Sequence, residues 1–243
     1  MRTLPIVCSA FVLASGLLAL PAAAATLTIS SQGSNIFGSN GNSSVTITEA
    51  TLRPGGIGVL AGGFAVTGNL DGVGAAENFI AWCLDITTTL RLPSTYTTTT
   101  TPFASGPLSP PRISTIERLF ETGLSTLNLG NNADSAGFQL ALWEVLYENS
   151  GTLSLGTGNF SANHATAAIA VANTLLGNLA LGPVTRDYNL TFLQSNDPHN
   201  TVDGHYSQHL VTATPVPLPA GGVLLLAGLG ALGALRRRAR KAA

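Results

Sequence analysis

The chain has 243 residues, of which only 9% are charged, with 11 Lys and Arg against 12 Asp and Glu and two cysteines. Six of the basic residues sit at the ends (Arg2, Arg236, Arg237, Arg238, Arg240 and Lys241), so Thr26 to Thr214 holds five arginines against all 12 acids, a net charge of −7. That balance excludes nucleic-acid or anionic-membrane binding through a basic patch, and a body without lysine cannot form Lys–Asn isopeptide crosslinks.

The N-terminus, MRTLPIVCSAFVLASGLLALPAAAAT, has one basic residue, an apolar run from Ile6 to Leu20 and Ala-x-Ala sites ending at Ala24 or Ala25. This predicts a secretory signal peptide over residues 1–25, because the apolar run is short and closes on small residues instead of a charged flank. Cys8 would leave with it, and Cys83 would be the single cysteine of the mature chain.

One domain is expected over residues 26–214. TLTIS, SVTITEATLR and GVLAGGFAVTG are short β-branched runs between Gly, Asn and Ser clusters, which predicts antiparallel hairpins. FIAWCLDI, Phe79 to Ile86, reads as a buried strand carrying Cys83. The run Thr97 to Thr101 fits an extended edge, a loop or an O-glycosylated patch, and Pro107, Pro110 and Pro111 predict a loop. Helical spacing follows. Ile113, Ile116, Leu119 and Phe120 share a face that ends at Gly123. Phe138, Leu142, Val145 and Leu146 mark a second helix, with Asp134 as N-cap and Gly151 as stop. The Ala-rich segment NHATAAIAVANTLLGNLAL predicts a third helix, and YNLTFLQS and HYSQHLVTAT predict returning strands. The class is α+β: an antiparallel β-rich body with a helical insertion.

At the C-terminus Val216-Pro217-Leu218-Pro219-Ala220 precedes an uninterrupted apolar stretch, Gly221 to Leu235, and the cluster Arg236, Arg237, Arg238, Arg240 and Lys241. At about 1.5 Å per residue that stretch is somewhat short of a bilayer's roughly 30 Å, but arginines can snorkel; it predicts a single transmembrane helix with its basic end in the cytoplasm. The three parts in this order resemble the VPLPA variant of the PEP-CTERM sorting signal. The resemblance implies a Gram-negative host, export, inner-membrane anchoring before processing by an exosortase-type enzyme, and delivery to the outer surface or extracellular matrix. It covers Val216 to Ala243 and leaves the function of the body open.

Cys83 lies among Ile80, Ala81, Trp82, Leu84 and Ile86, a poor setting for an exposed intermolecular disulfide. A free packed thiol is the ordinary alternative. FQLALW, Phe138 to Trp143, places Gln139 in the apolar sector of a helix with Trp143 one turn later on the same face. A buried glutamine without partners costs about 1–3 kcal/mol, so its position asks for a reason. Were Cys83 opposite, its thiolate would attack the Gln139 carboxamide and expel ammonia, forming an internal thioester shielded by Trp82 and Trp143. Trp82-Cys83-Leu84 and the FQLALW helix resemble the thioester domains of bacterial surface adhesins. The resemblance implies a Cys83–Gln139 thioester that reacts with amines on a target, and a thioester-domain-like fold. A passive structural component of the extracellular polymer is the alternative.

Asp85 and Glu144 adjoin the two motifs and would assist proton transfer, but sequence neighbours point to different faces, which favours solvated or hydrogen-bonded carboxylates. His199, His205 and His209 accompany Asp197 and Asp203. In a strand His205 and His209 would stand about 13 Å apart, too far to share one ion, so surface histidines and no metal are expected. No phosphate loop, dinucleotide fingerprint, Gly-x-Ser-x-Gly or His-Glu-x-x-His occurs, and a cysteine hydrolase would need a histidine beside Cys83. The expectation is a non-enzyme without cofactor, whose partners are the processing enzyme, the membrane, and amine-bearing surface targets or extracellular polysaccharide.

Overall fold

The computed structural model describes residues 26–70, 74–99, 108–179, 187–195 and 207–216. The expected signal peptide, residues 217–220 of the sorting motif, the apolar stretch 221–235, the basic cluster 236–241, His199 and His205 lie outside the described residues. Among the described residues no helix is long and apolar enough to cross a membrane.

The first half of the chain alternates apolar and polar residues with period two, and it forms strands: β1 (Thr26–Ser31), β2 (Asn42–Glu49), β3 (Arg53–Gly62), β4 (Phe64–Gly68), β5 (Glu77–Cys83) and β6 (Ser94–Thr99). Three helices follow, α1 (Pro110–Gly123), α2 (Asn132–Tyr147) and α3 (Thr166–Asn178), with β7 (Phe160–Asn163) between the last two; β8 (Tyr188–Ser195) and β9 (Leu210–Pro215) come last. The strands make two units. One is a closed antiparallel barrel in the order β1-β4-β5-β9-β8-β6; the other is a three-stranded sheet in the order β3-β2-β7. Closure removes every free edge from the barrel, whereas β3 and β7 remain edges of the smaller sheet. In chain order the helices are an insertion between β6 and β8, as expected of an α+β body.

Local expectations change at three places. Thr97 pairs with both β1 and β8, and Thr98 and Thr99 pair with β8, so these threonines stand in the barrel's ladder and not in a loop. Pro110 and Pro111 begin α1 instead of closing a loop, because first-turn N–H groups have no intrahelical partner and proline gives up nothing there. Asp134 is not the N-cap of α2. Asn131 is: its Oδ1 accepts from the N–H groups of Ala133 and Asp134 at 2.8 and 3.3 Å, while Asp134 sits in the first turn and accepts from Asn128 N–H at 2.9 Å.

Every residue of α2 from Ser135 to Tyr147 is buried, which fits a helix that is apolar nearly all round and lies in the middle of the core. Gly137 lets α3 close on it, since a Cβ there would come within 2.7 Å of Val171. One continuous core runs from Ile29, Val66 and Leu210 in the barrel through Trp82 to Phe120 and Phe138. The central helix therefore touches both sheets' worth of structure and carries polar side chains where they cannot reach water.

Candidate functional site: a buried cysteine and glutamine

β4 stops serving β5 at the Phe64–Ala81 pair, while β9 continues along the other side to the Cys83–Leu210 pair and the hydrogen bond from Leu84 N–H to His209 O at 2.9 Å. The β4 side of Cys83 thus needs another partner. The Gln139 carboxamide supplies it: Cys83 N–H donates to Gln139 Oε1 at 2.8 Å, and Gln139 Nε2 donates to Cys83 O at 2.9 Å. One side chain from α2 completes the ladder as a single residue of a neighbouring strand would. Both residues are 1% exposed.

Gln139, Trp143 and Tyr147 are spaced by four and form one stripe of α2 over the segment that follows β5. Tyr147 Oη donates to Leu84 O at 2.9 Å and accepts from Ile86 N–H at 3.3 Å. Trp143 lines the same cleft as Cys83 and Gln139. Trp82 does not; its ring packs on Phe138, centroids 4.5 Å apart, in the core. Of the two tryptophans singled out from the sequence, Trp143 is the one at the thiol.

The thiol itself donates to Asp85 O at 3.0 Å and accepts from Asp85 N–H at 3.3 Å. Burial pushes its pKa up to about 12; the backbone contact with Asp85 opposes this, the Asp85 charge adds to it, and the Trp143 indole opposes it. The indole acts from outside hydrogen-bond geometry, for Trp143 Nε1 is buried with no partner. Asp85 is held below the usual carboxylate range: burial works against its ionisation, but hydrogen bonds from Thr87 and Thr88 and the nearby His209 outweigh it. Its Oδ1 accepts from Thr87 N–H at 2.7 Å and Thr87 Oγ1 at 2.6 Å.

This arrangement has definite chemical capacity. A sulfur adding to the Gln139 carbonyl carbon would build negative charge on Oε1, where Cys83 N–H is already in place as a donor. A setting that penalises a thiolate favours the uncharged thiol or an uncharged sulfur ester. The site opens into a cleft of about 360 Å³ that also includes Gln208 and part of β3. Gln208 Nε2 donates to Asp85 O at 3.3 Å and to Thr88 O at 2.5 Å, and its Oε1 is buried without a partner.

A larger cavity, about 680 Å³, adjoins at Asp85 and Thr87 and includes Glu49, Arg112, Tyr147 and His209 but neither Cys83 nor Gln139. His209 accepts Ser195 N–H at Nδ1 at 3.2 Å; burial lowers its pKa and Asp85 pulls it back up. The imidazole and the thiol therefore line different cavities. His164 sits apart, at φ 68° and 3.1 Å from Thr46 Oγ1, and among the described residues no group of three His, Cys, Asp or Glu is arranged to hold a metal ion.

Glu144, next to Trp143 in sequence, is fully buried and so is not solvated. Its Oε1 accepts from Ser154 N–H at 2.6 Å, its Oε2 has no partner, and burial, with the Glu148 charge, raises its pKa to about 7. Tyr147 and Gln208 join the site beyond the residues that the sequence motifs mark. Tyr147 was legible as the next step of the Gln139–Trp143 spacing; Gln208 reaches the site only through the β5–β9 pairing.

No protein-family model matches the sequence, and no curated protein does. Among solved structures the chain is similar to the N-terminal domain of the Streptococcus pyogenes pilus tip adhesin Cpa, with a TM-score of 0.42 and 16% identity over 71% of this chain and 94% of that one.

Proposed function

We propose that this protein is an exported surface protein that attaches covalently to a target through an internal Cys83–Gln139 thioester. The observation that carries the reading is the reciprocal hydrogen bonding of the Gln139 carboxamide to the main chain of Cys83. It holds an amide carbon beside the one cysteine of the body, in a buried site that lines a cleft. In forming the bond, Sγ adds to the Gln139 carbonyl carbon, the carbon–nitrogen bond breaks, and the thiol proton leaves with the nitrogen as ammonia. In using it, an amine adds to the same carbon, the carbon–sulfur bond breaks, and Cys83 recovers a thiol while the target gains an amide link to Gln139. The terminal signals read in the sequence supply export and exosortase-type sorting in this proposal.

The test is the intact mass of the purified protein with and without methylamine. A mass one ammonia below the sequence value, replaced by a methylamine adduct at Gln139 and a newly titratable Cys83, supports the reading. An unmodified mass with a free thiol in both samples sinks it.

One observation favours a second reading, a passive component of the extracellular matrix. The Gln139 amide already satisfies both polar main-chain groups of Cys83, so a strand-completing role accounts for its burial without any reaction. The same mass measurement separates the two.

A further inference from the structure

The cleft that reaches Cys83 and Gln139 has a strand edge for one wall. β3 pairs with β2 alone, so the main-chain groups along its other side have no strand beside them among the described residues. Four consecutive residues, Ile57, Gly58, Val59 and Leu60, line the cleft. Successive strand residues point to opposite faces, so a run of four brings the strand's edge to the space, while Ile47 of β2, the partner of Ile57, adds part of the sheet's face to the lining. The segment from Ile86 to Leu90, just after Cys83, forms another part of the wall. Arg53 ties the start of β3 to that segment, with Nε donating to Ile86 O at 3.3 Å and a terminal guanidinium N–H to Thr87 O at 3.0 Å.

The edge lacks the usual protections. It is 10 residues long, Leu60 is 55% exposed, and glycines 55 and 58 leave open space where a side chain would stand. Charges, proline and bulges are what normally keep such an edge from pairing, and here Arg53, Pro54 and the register shift between Arg53 and Ile57 guard only its start.

We infer that the cleft takes an extended segment of another protein, added to β3 as a further strand, which presents a lysine ε-amine to the Cys83–Gln139 bond. The inference rests on the thioester reading above. Strand addition supplies affinity through main-chain hydrogen bonds and leaves specificity to the side chains that enter the cleft. The amine's hydrogens would meet the Asp85 carboxylate and the unpartnered Gln208 Oε1, both at the cleft. A second copy cannot be the donor from its body, because the only lysine of the chain is Lys241. The body's net charge of −7 also favours a cationic segment. The amine nitrogen adds to the Gln139 carbonyl carbon, the carbon–sulfur bond breaks, and the proton lost by the amine restores the Cys83 thiol.

Three probes at equal amine concentration test this on the full-length protein: methylamine, an N-acetylated Val-Thr-Val-Lys-Val-Thr-Val peptide, and that peptide with alternate main-chain amides N-methylated. Docking on the edge raises the local amine concentration, so the unmodified peptide is expected to form its Gln139 adduct about tenfold faster than the N-methylated one. A version with norleucine in place of lysine should slow the peptide reaction as a competitor. Equal rates for the two peptides, or no peptide adduct beside a methylamine adduct, overturn the docking inference and leave the thioester standing. No adduct with any probe overturns both.

Discussion

Two places along α2 bury polar side chains in different ways. At its C-terminal end Glu148, just beyond the helix, accepts from the N–H groups of Asn149, Ser150, Asn159 and Phe160 at 2.7, 2.5, 2.7 and 3.1 Å. Burial works against its ionisation, but those hydrogen bonds, with that from the Ser150 side chain, outweigh it and bring its pKa to about 2. Gly158 is required beside it, at φ 104°, since a Cβ would fall 2.0 Å from Glu148 Oε2. This is a carboxylate used to fold a loop. Toward the middle of the helix, Gln139 is equally well satisfied, but all its partners belong to one residue, and that residue is a cysteine. Beside it Trp143 Nε1 and Gln208 Oε1 are buried without partners. Four main-chain donors fold a loop around Glu148, whereas unpartnered donor and acceptor atoms lie beside the thiol at Gln139, which is where the chemical capacity is.

The largest expected effect that would break this contrast is on capture. Cys83→Ala keeps the main-chain groups that bind Gln139 yet removes the sulfur, so methylamine incorporation measured by intact mass should fall to zero while the fold persists. Persistent incorporation would place the reactive group elsewhere. Next, Gln139→Ala strands the buried N–H and C=O of Cys83 and should cost about 2–4 kcal/mol in urea unfolding, at the upper end for a lost hydrogen-bonding side chain. A loss below about 0.5 kcal/mol would mean that the ladder-completing bonds contribute little. Tyr147→Phe removes the hydroxyl that bridges Leu84 and Ile86 and should cost about 1 kcal/mol by the same measurement, with methylamine capture retained.

The smallest and most graded test uses pH. Glu148 titrates in the fold at about 2, below its ordinary 4.5, so it contributes stability above pH 4.5 that is lost as pH falls toward 2. Glu144 titrates at about 7, above 4.5, so its contribution is fully present below pH 4.5 and is lost as pH rises to 7. Thermal midpoints against pH should therefore lose their downward slope between pH 4.5 and 7 in Glu144→Gln, and their acid-side slope in Glu148→Gln. Unchanged profiles in both variants would show that neither glutamate sets the acid or neutral limb.

Much of the site was readable because its constraints are local. Cys83 in an apolar run and Gln139 four residues before Trp143 are patterns of adjacent residues, and the four-residue spacing places the latter two on one side of α2 wherever the helix goes. The capping of α2 was misread for an equally local reason. Asn131 and Asp134 are both good capping residues, and only the loop geometry before the helix decides which side chain reaches the free N–H groups.

By itself the sequence determined most of the elements, though not β7 or the start of α1, together with the lone thiol, the buried amide and the absence of lysine from the body, since propensity, periodicity and composition act over a few residues at a time. Tertiary structure alone decided that the strands divide into a closed barrel and a small sheet with an open edge, and that β4 ends short of Cys83 so that a helix side chain takes its place. Those outcomes depend on pairing between segments far apart in the chain, such as β5 with β9, and the free energy of such pairing comes from the packing of the whole core and not from any one segment's own preference.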